Sequence, residues 1–330
     1  MQDPRVFNFE TGNPTMKWLI TLLFFSFQFQ IQASEVVTLS ELQSQLQRLS
    51  KRKVDPYLKE YEGLRENVRF PVKLHQDDRY YLIDNIRTLG GRDKEGIEKP
   101  VFESGLIDIE KVKKVSWMMC VFLIKAGPIK YQAGHAQMVF EFEEGGAMLA
   151  DGPIEGIINS FEIIPQKGVN YDPIVKGMTG YYDNSCTLST KDWGFVASAS
   201  RDTRIELYTL DLTHDEMKAL LKISLREAFD RESISKEKYH TTRNSCVTNQ
   251  FRILNLFFPE ERRIPEWSEV FGLKIKRTFG TIVPRRVGKT LKKFGLVRDF
   301  AKFDCPDEAM GYVAGLRKQR IYKTLYQEPR

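Results

Sequence analysis

The chain has 330 residues, 42% of them hydrophobic, which suits one large or two small folded domains and not a disordered chain. The net charge is +6, and no CxxC or Cys/His spacing among the four cysteines suggests a zinc module. From residue 271 onward there are 15 Lys and Arg against 5 Asp and Glu, so the positive charge is a feature of the C-terminal end and everything before it is net negative.

Residues 1–15 resemble nothing that folds and read as an upstream extension. Met16 to Ala33 has a basic residue, an apolar run and a small residue suited to cleavage, the layout of a signal peptide. The apolar run falls short of the roughly 20 residues that span a bilayer, so cleavage is expected over a retained anchor. The chain is therefore expected to be exported, to the periplasm or the outer membrane. Export permits disulfides. Cys120 sits in the apolar run Val115–Ile124 as a buried thiol, which leaves Cys186 and Cys305 as the pair to test.

Residues 34–109 read as a mainly helical segment. Ser40 to Gln43 matches a capping box, and Leu42, Leu46 and Leu49 follow at helical spacing. Residues 53–100 are broken by Asp55-Pro56 and Phe70-Pro71, and Gly90 to Gly96 reads as a loop. His75 beside Asp77 reads as a surface residue.

The pattern changes to strands in the next stretch, 110–260. Val115–Ile124 is a continuous apolar run. In Tyr131–Phe142 the residues Ala136, Met138, Phe140 and Phe142 alternate with His135, Gln137, Val139 and Glu141, predicting a half-buried strand. Ile157–Ile164 and Arg204–Leu212 supply more. Short turns favour an antiparallel meander with one face covered. Thr213 to Glu216 is a capping box that opens a helix to about Asp230, with His214 as a solvated cap neighbour.

A polar run from Thr241 to Ser245 then leads into Cys246. Behind it Val247, Phe251, Leu254 and Phe258 share one helical face that stops at Pro259. Cys246 is thereby placed in the first turn, where unpaired N–H groups and the helix dipole favour thiolate. The plainer readings are a small hydrophobe opening a core helix, or half of a disulfide. Cys186, in Asp183-Asn-Ser-Cys-Thr187, copies part of the Asn244-Ser-Cys246 run in loop-like surroundings and is a rival nucleophile. In the basic segment 261–330, Arg285 to Thr290 lacks the glycine that a phosphate loop requires, and no nucleotide site is expected.

His135 follows Gly134, where backbone bulk is smallest, and pairs naturally with a thiol: imidazolium stabilises thiolate and later protonates a leaving group. The histidine strand precedes the cysteine helix, a circular permutation of the papain order. Asn244, Gln137 and Glu141 are candidates to orient the imidazole or bind an oxyanion.

Lys176-Gly-Met-Thr-Gly180, then Arg204 to Leu221, Tyr239 and Asn244-Ser-Cys246, with Gly134-His135 before them, resemble the Lnb N-terminal periplasmic domain family of bacteria over roughly residues 110–260. The resemblance implies an α+β, permuted papain-like fold, an antiparallel sheet packed against helices including the cysteine helix, similar to NlpC-type peptidases. It maps a thiol nucleophile onto Cys246 and a histidine base onto His135. The chain departs from the pattern at Ser245, directly before the cysteine, and at Gln137, two after the histidine; the orienting third residue stays unassigned. The expected function is an exported cysteine hydrolase or acyltransferase acting on a peptidoglycan peptide or lipid acyl group. The alternative is a non-catalytic envelope protein that binds glycan, a partner, or an anionic membrane surface through residues 271–330. No cofactor, metal or nucleic acid is expected.

Overall fold

A computed structural model of the chain describes residues 37–52, 69–92, 98–126, 129–164, 166–169, 172, 175–199, 204–230, 238–241, 243–264, 267–270, 273–276 and 284–303. The expected leader, the extension before it, and Cys305 lie outside the described residues. The chain divides at Glu41/Leu42 into two compact units, and the longer one, residues 42–330, holds the sheet.

Helix α1 (Leu39–Ser50) buries Leu42 and Leu46, as their spacing predicts. Its capping box lies two residues earlier than the Ser40–Gln43 motif: Thr38 N–H donates to Glu41 Oε2 at 2.7 Å, and Glu41 N–H to Thr38 Oγ1 at 3.3 Å. A glutamate at the third helical position bears a full charge, which suits the positive helix end better than a glutamine amide.

The mainly helical reading of residues 34–109 is corrected by three strands, β1 (Val72–Gln76), β2 (Tyr80–Arg92) and β3 (Glu98–Asp108). Asn85 in β2 has φ 63, and the register against β3 shifts between Ile83 and Ile86. Such a bulge turns the strand by one residue, so Tyr81, Ile83 and Ile86 all face one core although their spacing is not two. The broken alternation hides the strand. Gly90 and Gly91 are still within it.

Then come β4 (Val112–Ala126) and β5 (Ile129–Phe142), a long antiparallel pair, followed by the short β6 (Ala147–Leu149) and β7 (Gly152–Pro153), β8 (Gly156–Ile164), and a single helical turn α2 (Val175–Met178). The segment around Cys186, read as loop-like, is strand β9 (Asp183–Thr190), buried along most of its length. Helix α3 (Lys191–Ala199), strand β10 (Arg204–Leu210), helix α4 (His214–Phe229) and helix α5 (Cys246–Phe257) complete the central part. The hairpin β11 (Trp267–Val270) and β12 (Leu273–Lys276), helix α6 (Pro284–Lys293) and strand β13 (Val297–Phe303) end the described chain.

The sheet has eleven strands among the described residues, ordered β13-β10-β4-β5-β8-β9-β2-β3-β6-β7, with β1 beside β2. Each recorded pairing within it is antiparallel except that of β2 with β9, at Arg87 and Ser189. The class is α+β. Both faces are covered, not one. Leu220, Leu221 and Leu225 of α4, Val247, Phe251 and Leu254 of α5, and Val287 and Leu291 of α6 join Trp117, Met138 and Phe140 on one side. Phe195 and Val196 of α3 join Met118, Val139 and Ile158 on the other. Residues 136–142 of β5 are therefore buried throughout, and the alternation separates two apolar cores instead of core and water.

One departure from regular pairing places the site. Strand β5 pairs with β8 from Glu141–Gly156 to Gln137–Ser160. Past that rung β8 stays with β9 as far as Ile164–Asp183, and β5 stays with β4. The two strands part, and the β5 edge at residues 135 and 136 faces the gap.

Candidate active site

Cys246 is the first residue of α5, as its sequence position predicts. Ser245 caps the helix: its N–H donates to Thr248 Oγ1 at 2.7 Å, and Thr248 N–H donates to Ser245 Oγ at 3.4 Å, closing a capping box. With those two N–H groups taken, and that of Asn249 bonded to Ser245 O, the N–H groups of Cys246 and Val247 remain at the start of the helix beside the sulfur.

The structure brings His135 and Cys246 together. The imidazole is hydrogen-bonded to the buried sulfur, which also accepts the backbone N–H groups of Ala136 and Val247. By strand parity His135 projects toward the α3 side of the sheet, whereas α5 packs on the other side. The two meet at the open β5 edge, where the Ala136 N–H points into the gap left by β8. Burial pushes the Cys246 thiol up, but the charge and hydrogen bond of His135 and the two backbone N–H groups outweigh it, and the thiol is held below the ordinary cysteine value.

His135 Nε2 is 2.9 Å from Ser160 Oγ. Each ring nitrogen carries one proton or one lone pair, so the bond to the sulfur falls to Nδ1. Ser160 is 1% exposed. The sequence reading missed it, although a signal was present: Asn159 and Ser160, with Glu162, interrupt an otherwise apolar strand from Ile157 to Ile164.

The three proposed orienting residues separate. Gln137 lies directly opposite Ser160 and donates its Nε2 to Ser160 Oγ at 3.4 Å, so it stands one step behind the histidine. Glu141 is four residues further along β5 and is bound to Lys114 Nζ at 2.8 Å and Lys191 Nζ at 3.0 Å. It belongs to a buried charge cluster, not to the imidazole.

Asn244 braces the loop that delivers the cysteine. Its Oδ1 accepts from Asn249 Nδ2 at 2.7 Å and Asn184 Nδ2 at 3.3 Å, and its Nδ2 donates to Lys238 O at 3.0 Å. That loop rests on the turn at Lys176-Gly177. Thr241 N–H donates to Gly177 O at 2.9 Å, and a Cβ on Gly177 would fall 2.5 Å from Thr241 Oγ1. A side chain there would displace the Thr241 hydroxyl from the turn.

Cys120 and Cys186 are buried thiols outside any disulfide, so Cys186 is not half of a bridge. Cys186 accepts from Asn159 Nδ2 at 3.1 Å, and burial drives its thiol far up, opposite to Cys246. His214 is the first residue of α4, next to the Thr213 cap, and His75 Nε2 is 3.1 Å from Asp77. Among the described residues no group of three or more His, Cys, Asp and Glu could hold a metal, and no helix is long and apolar enough to cross a membrane.

Against known proteins, residues 111–270 match the family model of the Lnb N-terminal periplasmic domain. No curated protein and no solved structure matches the chain.

Proposed function

We propose that this chain, which carries an Lnb N-terminal periplasmic domain over residues 111–270, is an exported thiol enzyme of the cell envelope, a hydrolase or acyltransferase acting on an amide or ester bond. One observation carries the reading: a buried thiol at a helix start, hydrogen-bonded to an imidazole and held below its ordinary ionisation range. Neither α1 nor β1–β3 contributes to that pair, so the core from β4 to α5 is the catalytic unit. A histidine strand ahead of a cysteine helix, both against an antiparallel sheet, supports a permuted papain-like fold. A family of periplasmic domains supports a periplasmic location.

Cys246 passes its proton to His135 Nδ1 and attacks the carbonyl carbon of the substrate. The oxyanion forms beside the helix start. There the Val247 N–H and the Ala136 N–H at the strand edge, bound to the sulfur before attack, turn to the new oxyanion as negative charge leaves the sulfur, with the Cys246 N–H beside them. The imidazolium then protonates the leaving group, and the acyl group remains on sulfur until water or a second nucleophile takes it. The substrate classes that fit are a peptidoglycan peptide and a lipid acyl group.

The test is alkylation of the native protein by iodoacetamide across pH, read by mass spectrometry at each cysteine. Cys246 is expected to react with an apparent pKa below the ~8.5 of a free cysteine, with Cys120 and Cys186 protected. A Cys246 profile at or above the free value, or full turnover of an envelope substrate by Cys246→Ala, overturns the proposal.

A second reading concerns partners and has its own observation. The outer face of α6 and strand β13 exposes Arg286, Lys289, Lys292, Lys293, Arg298 and Lys302 against Asp299. Phe303 pairs with Ile205, Ile205 with Cys120 and Cys120 with His135, so the end of β13 lies three strands from the imidazole, about 14 Å across the sheet. Contact with an anionic membrane surface is the partner this face fits.

A further inference from the structure

We propose that Ser160 is the positioning residue of the site: its hydroxyl accepts the Nε2–H of His135 and thereby keeps Nδ1 as the nitrogen that exchanges a proton with Cys246. The inference rests on reading Cys246 and His135 as the reacting pair and names the group that reading lacks.

The geometry comes from the sheet. Gln137 and Ser160 form the last rung before β5 and β8 part. Residues directly opposite in an antiparallel pair project to the same side, and so do residues two apart in one strand. His135, Gln137 and Ser160 therefore share one face, and the 2.9 Å contact from Ser160 Oγ to His135 Nε2 is diagonal across that rung. Gln137 Nε2 donates to the same oxygen at 3.4 Å and holds it from behind. At 1% exposure Ser160 has little competition from water for the ring proton.

The chemistry follows from proton counting. A neutral imidazole has one N–H. With the thiol protonated, that N–H sits on Nε2 and points at Ser160, which leaves the Nδ1 lone pair facing S–H. When the proton moves from sulfur to Nδ1, both nitrogens carry hydrogen: Nδ1–H faces the thiolate, and Nε2–H still faces Ser160. The same acceptor serves both states, so the ring does not turn during transfer. A hydroxyl is neutral, unlike the carboxylate that commonly backs a histidine. The imidazolium is thus stabilised by the thiolate in front of it more than by the group behind it, and it stays acidic enough to protonate a leaving group. Besides burial, the largest effects on the sulfur come from His135 and the N–H groups of Ala136 and Val247, so a change in the state of the imidazole is read directly at the thiol.

The experiment compares wild type, Ser160→Ala, Ser160→Thr and Ser160→Asp in the full-length chain, with thermal unfolding and circular dichroism to establish that each variant folds. Two quantities are read: the pH profile of Cys246 alkylation, and the ¹⁵N shifts of the His135 ring, which distinguish the tautomers. Ser160→Ala is expected to raise the apparent Cys246 pKa by about one unit, a tenfold loss of thiolate at neutral pH, and to mix the tautomers. Ser160→Thr keeps a hydroxyl and restores both readings. Ser160→Asp extends the ion pair to higher pH.

A folded Ser160→Ala protein whose alkylation profile and ¹⁵N shifts match wild type overturns this inference and leaves the Cys246–His135 reading intact. An ordinary Cys246 pKa in wild type instead overturns the reading beneath it. The two failures are separate.

Discussion

Two cysteines separate the roles that burial can play. Cys186 and Cys246 are both enclosed, yet one thiol is driven up and the other held down. Desolvation acts on both; Cys246 is hydrogen-bonded by an imidazole and two backbone N–H groups, whereas Cys186 accepts from Asn159 and feels the carboxylates of Glu227 and Glu162 as well as the charge of Arg252. Glu141 shows the same contest for a carboxylate. Burial raises it, but the charge of Lys191 and the hydrogen bond and charge of Lys114 win, and its value falls below 4.5. A carboxyl with a depressed folded pKa contributes stability above the unfolded value and loses it as pH falls through the folded one. Glu141→Gln removes one of the two carboxylates that pair with Lys191, which is 1% exposed. The variant is expected to be less stable by about 3 kcal/mol at neutral pH, the difference shrinking as pH falls from the unfolded carboxyl value through the lower folded Glu141 value. Urea unfolding at several pH values measures this, and a pH-independent gap would contradict the assignment. Sequence offered Glu141 as an orienting residue because it shares a strand face with His135; the lysines that claim it come from β4 and the start of α3.

At the scale of elements, the cap of α4 was legible: Thr213–Glu216 lies where the local pattern places it, because an N-cap and its partner are only three residues apart. The cap of α1 lies two residues before Ser40, and the Ser245–Thr248 box was not read. Strand β2 was not legible: the Asn85 bulge breaks the period of two, and the helical expectation for 34–109 filled the gap. Helix α6 shows a constraint that local reading misjudges. Its Gly288 lies over the Tyr208 ring, and a Cβ there would be 2.3 Å from the phenolic oxygen. Tyr208 is itself fixed by a 2.6 Å bond to Glu206 Oε2. Alanine normally favours a helix interior over glycine by about 1 kcal/mol, but here overpacking costs about 1–3 kcal/mol and decides the sign. Gly288→Ala is expected to lower the melting temperature; an unchanged or higher value would show that α6 can move away from the sheet.

Over the whole molecule, charge is segregated. Helix α6 spends Val287 and Leu291 on the core and exposes Arg286, Lys289, Lys292 and Lys293, so its attraction to an anionic surface is electrostatic. Reversing Arg286, Lys289 and Lys293 to Glu leaves Lys292 over the Phe300 ring and the core face untouched. Binding to vesicles containing phosphatidylglycerol is expected to weaken at least a hundredfold, at roughly 1 kcal/mol per cation, and to fall with salt in the parent protein. Equal sedimentation of parent and variant with vesicles would remove the membrane from the account. The net charge of the last 60 residues was plain in the sequence; that α6 and β13 are integral to the fold was not.

What the chain determined by itself is local. The cysteine at a helix start, its cap, the apolar runs of β4 and β8 and the amphipathic α4 follow from residues within a few positions of one another, where propensity and periodicity act. The tertiary structure decided which polar groups share the histidine. The parting of β5 from β8 admits Cys246 at the strand edge, and the rung before it sets Ser160 against His135, 25 residues away. Cross-strand register depends on the packing of both faces at once, and no short stretch of sequence carries that information.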